Sequence, residues 1–296
     1  MADYINNYTL KAEEALIIEE LVKDARGRLD LGMGPIGEKI FSVLSEKNIR
    51  LLYFYLEKSN INSLEAFYLA KLNSMTKKYS YYIALNTSVP LDLLIFNICH
   101  EYYHHIDNEE GNLHLMRIGD PDEEFVNIKA NRFAAEFLLP TESIKTYVRK
   151  HNRGEFDISN WNSFTLLRFI SQIQIGYQVP YRMIVKRLFE ISAINYEILN
   201  HLLSIDERDE NSLYYKVASI LGGEDFLKLN RINARRGVDS DGLNVMLRNY
   251  DEGISSIDST IKDLSIFDKS IEEFGYEIDI LEEDMNEISE LLGEEE

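Results

Sequence analysis

His100-Glu101-Tyr102-Tyr103-His104 is the stretch of this chain whose residue types and spacing point most directly to chemistry. On a helix, residues i and i+4 share a face about one turn apart. Two neutral imidazoles held that way can bind one Zn²⁺ together. Glu101 directly follows the first imidazole, the place where an HExxH site carries the general base that takes a proton from the attacking water. One short run thus predicts a metal, a nucleophile and a base. Five-residue matches also arise by chance, so the flanking elements decide its weight.

Those elements are coherent. Tyr81 to Leu85 is aromatic and aliphatic, which favours a strand. Asn86, Thr87 and Ser88 are turn and N-cap types, and Pro90 suits a first helical turn, where its missing N–H costs nothing. From Leu91 the apolar residues Leu94, Ile95, Ile98, Cys99 and Tyr102 follow helical spacing, and Gly111 is a plausible stop. A second helix is predicted from Asp122 to Leu139, with apolar Phe125, Ile128, Phe133, Phe137 and Leu138, ended by Pro140.

The order of a strand ending in Asn, a Pro-led HExxH helix, then Ala130-Asn131-Arg132-Phe133-Ala134-Ala135-Glu136-Phe137-Leu138-Leu139-Pro140 resembles the ImmA/IrrE family of metallopeptidases over roughly residues 45 to 200. The resemblance implies an α+β fold with a small zincin-like core, in which a short β-sheet supports the HExxH helix and a following ligand helix. Helical extensions are expected at both ends. It also implies a Zn²⁺ cofactor held by His100 and His104, with Glu101 catalytic. The family places its third ligand, a Glu, three residues before the Ala of Ala-Asn, and this chain has Asn127 there. An amide oxygen is a weaker zinc donor than a carboxylate. Three readings stay open: Asn127 completes a weaker site, Glu123 or Glu124 substitutes from one turn upstream, or the chain is a pseudoenzyme.

Composition bounds the rest. A single cysteine, Cys99, leaves no internal disulfide framework and fits a reducing compartment; beside His100 it reads best as a small buried apolar residue. No charged-then-apolar leader opens the chain, and Val89 to Cys99 is too short to span a bilayer, so a soluble cytoplasmic protein without membrane attachment is expected. Residues 251–296 hold 17 acidic residues against Lys262 and Lys269, fifteen of the net twenty negative charges. Such a field disfavours nonspecific nucleic-acid binding. Lys228, Arg231, Arg235 and Arg236 form a local basic exception, read as a solvated helix face.

Five regions are expected: N-terminal helices over 1–45, the peptidase core over 46–145, a helix-turn-helix-like helical pair over 146–205, a helical region over 206–250, and an acidic tail over 251–296. The Gly32-Met33-Gly34-Pro35 break lacks the Lys-Ser/Thr ending of a phosphate loop. Strands are expected at 49–56 and 67–70, besides 81–85. In the helical pair, Arg182, Lys186 and Arg187 could touch DNA, but a packing role is favoured. His105 and His114 read as exposed residues. In the tail, Phe267, Phe274, Leu281 and Ile288 recur every seven residues, as do Ile271, Ile278, Met285 and Leu292. That is the a/d seam of a long helix, with Gly275 weakening its middle. The seam predicts packing on the chain's own helices, a homodimer or a partner-binding coiled coil.

The leading expectation is therefore a zinc-dependent endopeptidase. The resemblance implies a substrate that is a helix-turn-helix repressor, whose cleavage switches mobile-element, prophage or stress genes. The rival is a noncatalytic protein-binding antirepressor or toxin–antitoxin component using the acidic tail. A third, less favoured, is direct DNA regulation.

Overall fold

The computed structural model describes residues 10–56, 65–72, 77–107, 121–232 and 234–276, except 239, 266 and 268. The chain divides into two compact units, Met1–Arg235 and Arg236–Glu296.

In the first unit a small sheet is ordered β2-β3-β1, from β1 (Ile49–Phe54), β2 (Ala66–Leu72) and β3 (Tyr79–Asn86). Alternate residues of β1, namely Ile49, Leu51 and Tyr53, are buried, the period-two pattern of a strand with one face on a core. β3 pairs parallel with β1, Leu51 opposite Ile83, and antiparallel with β2, Tyr68 opposite Ile83. Its last four residues, Ile83 to Asn86, are all buried. β2 therefore lies at an edge of the sheet, on the side that will matter for the site.

The chain leaves β3 through a tight, hydrogen-bonded turn. Asn86 Oδ1 accepts from the N–H of Ser88 and of Leu56 (both 3.1 Å), and Thr87 Oγ1 donates to the carbonyls of Phe54 (3.1 Å) and Arg235 (2.6 Å). Pro90 then precedes α3 (Leu91–Asp107), which carries the HExxH residues across the sheet and against α4 (Pro121–Leu138). α4 is followed by Pro140 and α5 (Thr141–His151). The buried Arg26 of α1 (Ala12–Arg28) closes the end of α4 by donating to the Phe137 carbonyl. The same guanidinium donates to the carbonyls of Gly32 and Gly34. The glycine turn thus presents acceptors to a cation, the opposite polarity to a phosphate cradle.

Around this core lie α2 (Lys39–Glu46), α6 (Ser163–Tyr177), α7 (Tyr181–Glu190), α8 (Tyr196–Leu203) and α9 (Leu213–Asn230). The helix α8 lies beyond the two helices expected up to residue 193. α6 and α9 approach closely because Gly222 has no side chain: a Cβ there would sit 2.5 Å from Ile175 Cδ1. Gly223, at φ 51° and ψ −128°, then kinks α9, a backbone state open to glycine.

The start of α3 is latched by a buried polar network. The Asp92 carboxylate, fully buried, accepts from Arg208 Nη2 at 2.7 and 2.9 Å and from Gln174 Nε2 at 2.9 Å. Tyr214 in turn donates to Gln174 Oε1 (2.5 Å). Asp92→Ala is expected to cost about 3 kcal/mol, because Gln174 and Arg208 lose their shared acceptor inside the core. Urea unfolding measures it, and a loss below about 1 kcal/mol would show that the latch does not hold α3.

The second unit holds the two-residue strand Gly237–Val238, α10 (Ser240–Asp251), α11 (Ile257–Ser265) and a single 3₁₀ turn, Glu272–Phe274. The long heptad helix expected here is not continuous. Gly253 (φ 67°) ends α10, with Ile254 N–H bonding back to the Asn249 carbonyl. Ser256 caps α11 by accepting from Ser259 N–H, and α11 stops at Ser265. Gly275, at φ 84°, closes the 3₁₀ turn, so it ends this element where a mere weakening of a helix was expected. Leu264 and Ile271 are buried, whereas Ile254 is 68% exposed. The remaining seam positions, Ile278, Leu281, Met285, Ile288 and Leu292, lie outside the described residues.

Candidate functional site

α3 and α4 face each other through two pairs of residues spaced i, i+4. On α3 these are His100 and His104; on α4 they are Asn127 and Asn131. The Nε2 atoms of His100 and His104 point at each other 3.2 Å apart. His100 Nδ1 donates to Asn131 Oδ1 (2.9 Å), and the Asn127 side chain also hydrogen-bonds His100. A proton held on Nδ1 leaves Nε2 with its lone pair free, the form in which imidazole binds a metal.

Burial sets the charge states. It lowers the pKa of His100 despite the two asparagine amides, and it lowers His104 to about 3 with help from neighbouring His100. Both rings are therefore neutral at physiological pH. Glu101 is 7% exposed, and burial pushes its carboxyl up to about 8, opposed by a hydrogen bond from the Tyr68 backbone on β2. Glu101 thus sits between the HExxH helix and the edge strand. A cation near the imidazoles would draw its pKa back down.

The helix is anchored from behind by aromatic packing. Tyr102 and Tyr103 meet Phe133 at 6.2 and 5.6 Å, and Phe133 stacks on Phe137 at 5.4 Å. Phe133 and Phe137 belong to the Ala-Asn-Arg-Phe-Ala-Ala-Glu-Phe run, so that run both lines the site and fixes its back wall. His105 is not the exposed residue expected from sequence. It is half-buried among Tyr68, Tyr81 and Tyr102, with Nδ1 3.2 Å from the Tyr68 hydroxyl. This contact ties the edge strand to α3 beside Glu101. Cys99 is fully buried, and burial pushes its thiol up, so it is a core residue.

Of the residues picked out from sequence, the structure brings His100, His104 and Asn127 together and sets Glu101 alongside. The side chains of Glu123 and Glu124, and all of His114, lie outside the described residues. Asn131 had been noted only as part of the motif. Its spacing of four from Asn127 was the signal for a role at the same face. The Tyr68 backbone contact had no sequence signal, because it depends on how β2 pairs.

The donor chemistry fits zinc at two positions. Zinc–nitrogen bonds of about 2.0–2.1 Å at a tetrahedral angle put neighbouring ligand atoms about 3.3 Å apart, close to the observed separation. Among the described residues no cluster of three His, Cys, Asp or Glu is present. The third side chain at this place is the Asn127 amide. Replacing Asn131 with Ala is expected to lower zinc affinity about 10–100-fold, because His100 loses the partner that sets its tautomer and angle. Competition with a chromophoric chelator reads this directly; unchanged affinity would show that Asn131 does not orient His100.

The helical pair α6–α7 turns inward. Arg187 is buried and paired with Glu136 (2.6 Å) and Glu190 (2.5 Å), so its guanidinium is not available to phosphates. Arg182 is held by Glu207 and donates to the Leu203 and Ile205 carbonyls. The basic run after residue 227 does not form a single helix face either. Lys228 pairs with Glu38, and Arg235, beyond the end of α9, lies over the Tyr53 ring at 4.3 Å.

Fold and site together define a class: an α+β domain whose sheet and second helix present two neutral histidines and a buried glutamate from one HExxH helix. Residues 45–189 match the family model Peptidase_M78, described as the IrrE N-terminal-like domain, and through this domain the chain belongs to that peptidase family. No curated protein matches the chain. Among the described residues, no helix is long and apolar enough to cross a membrane.

Proposed function

We propose that this protein is a zinc-dependent endopeptidase with a zincin-like core, acting on a helix-turn-helix repressor and thereby switching the genes that repressor controls. The observation that carries the reading is the 3.2 Å approach of the two Nε2 atoms with Asn131 fixing the tautomer of His100. His100 and His104 would hold the metal, with the Asn127 amide beside His100. Zinc held there would supply Lewis acidity to the scissile carbonyl and acidify the attacking water. Glu101 takes the proton from that water and returns it to the leaving amine. Among the described residues β2 is the outer strand of the sheet beside Glu101, and an extended substrate segment can lie along it. Asn127 and Asn131 keep His100 oriented throughout, and the aromatic wall of Tyr102, Tyr103 and Phe133 resists displacement of α3.

One observation favours a second reading. Asn127, not a carboxylate, stands beside His100, and a neutral amide binds zinc more weakly. On that reading the protein captures its partner without cutting it. Zinc per chain in protein purified without added metal, with a His100→Ala control, separates the two. Near one zinc, lost in the control, supports the peptidase. No zinc after loading, together with zinc uptake by Asn127→Glu, would make capture the better reading.

A further inference from the structure

We propose a second binding site in the first unit, away from the histidines: the cavity between the end of α5 and the start of α6 takes a small ring-bearing phosphate of the mononucleotide class. The cavity measures about 420 Å³, inside the range of about 300–1,000 Å³ for small-molecule sites. Its wall is aromatic. Trp161 meets Phe169 edge-on at 5.3 Å and 89°, and His151 meets Phe169 at 5.5 Å and 69°. Phe169 is buried beneath them, so the partly exposed Trp161 ring is left to meet a heterocyclic ring.

The rings are set before any ligand arrives. His151 Nδ1 donates to the Tyr147 carbonyl (2.8 Å), and its ring lies 4.2 Å from that of Tyr147. Trp161 Nε1 donates to Asn152 Oδ1 (3.3 Å), and Asn152 Nδ2 donates to the Asp157 carbonyl (3.0 Å). Preorganisation of this kind lowers the entropy cost of binding.

Charge selects the ligand's other half. Arg153 and Arg168 line the same cavity, and no ion pair holds either among the described residues. Arg132, Arg182, Arg187 and Arg208 of this unit pair with carboxylates. Arg153 and Arg168 are exposed at the rim of the cavity, so their guanidinia are open to a ligand there. Guanidinium forks match phosphate oxygens, and a ring-bearing phosphate uses both halves of the cavity. The site does not depend on the peptidase reading.

Trp161 is the sole tryptophan, so its emission reports this cavity alone. The full chain is titrated with AMP, with adenosine and inorganic phosphate as half-ligands. The expected result is saturable quenching by AMP with Kd below about 1 mM, at least about tenfold weaker binding of adenosine, and a similar loss in the Arg153→Gln/Arg168→Gln double variant. Both arginines are exposed, so the variant should fold, and circular dichroism checks that. No saturable change up to about 10 mM AMP, equal binding of adenosine, or undiminished binding by the folded double variant would overturn the proposal. So would affinity that rises with the length of a single-stranded oligonucleotide, which would reassign the cavity to a polynucleotide.

Discussion

On the proposed peptidase function, Glu101→Gln is expected to reduce cleavage of a co-expressed helix-turn-helix repressor by about 10²–10⁴-fold, while zinc content stays at the wild-type level. Removal of a general base costs about this much, and the amide keeps the shape and the hydrogen bond to Tyr68. The same change should stabilise the metal-free protein at alkaline pH. The buried Glu101 carboxyl is pushed up to about 8, whereas an unfolded glutamate ionises near its ordinary value. Because the folded pKa is raised, the folded chain binds a proton that the unfolded chain releases. Stability from this group is therefore full below the unfolded pKa and declines as pH rises toward 8. The glutamine has no such decline. Its advantage at pH 8 should be on the order of 4 kcal/mol, at about 1.4 kcal/mol per pKa unit, and should vanish near pH 4. Denaturant unfolding in chelator at both pH values measures it. A variant that cleaves as fast as wild type would remove Glu101 from the mechanism. Equal stabilities at pH 8 would show that water reaches the carboxyl.

Glu136→Ala is expected to cost about 3–5 kcal/mol, the loss typical when one member of a buried ion pair is deleted. Glu136 is 4% exposed and Arg187 1% exposed. The carboxylate accepts from Arg187 Nη2 (2.6 Å), Arg132 Nη1 (3.0 Å), and the N–H and hydroxyl of Thr141 (both 2.7 Å). Its removal leaves the buried Arg187 guanidinium with Glu190 as its remaining carboxylate, beside the Leu139 carbonyl. Burial alone would push the Glu136 carboxyl up, but Arg187, the Thr141 hydrogen bonds and Arg132 outweigh it, and the pKa is lowered. The sign is thus opposite to that of Glu101. The stabilisation is present above the unfolded pKa and is lost as pH falls through the folded one. The difference between wild type and Glu136→Ala should accordingly shrink in acid. Because Glu136 lies five residues past Asn131 on α4 and anchors the end of that helix to Thr141 and α7, the variant should also loosen the helix that holds His100. A stability loss under about 1 kcal/mol would show that Arg187 finds water or another acceptor.

These two glutamates mark how much was legible in the chain. Glu101 could be read because an i, i+4 histidine pair has little purpose on a helix except to place two rings on one side. Glu136 could not: within its run it looks like an ordinary helical surface residue, and its acceptor role appears only when α7 brings Arg187 across. The strands and the core helices were readable because apolar period and turn residues are local signals. The short helix α8 was passed over although Asn195 caps it by accepting from Ile198 N–H. The seven-residue repeat of the tail looked like one long helix because periodicity does not register where left-handed glycines interrupt it. Gly275 does so here.

The sequence by itself pointed to the family and put His100, Glu101 and His104 on one helix, because these depend on local spacing and side-chain chemistry. Only the tertiary structure decided that Asn127 and Asn131 converge on His100, that β2 lies beside Glu101, and that Arg187 turns inward. Those outcomes depend on which helix faces which and on how deeply each charge is taken from water. Sequence spacing specifies neither.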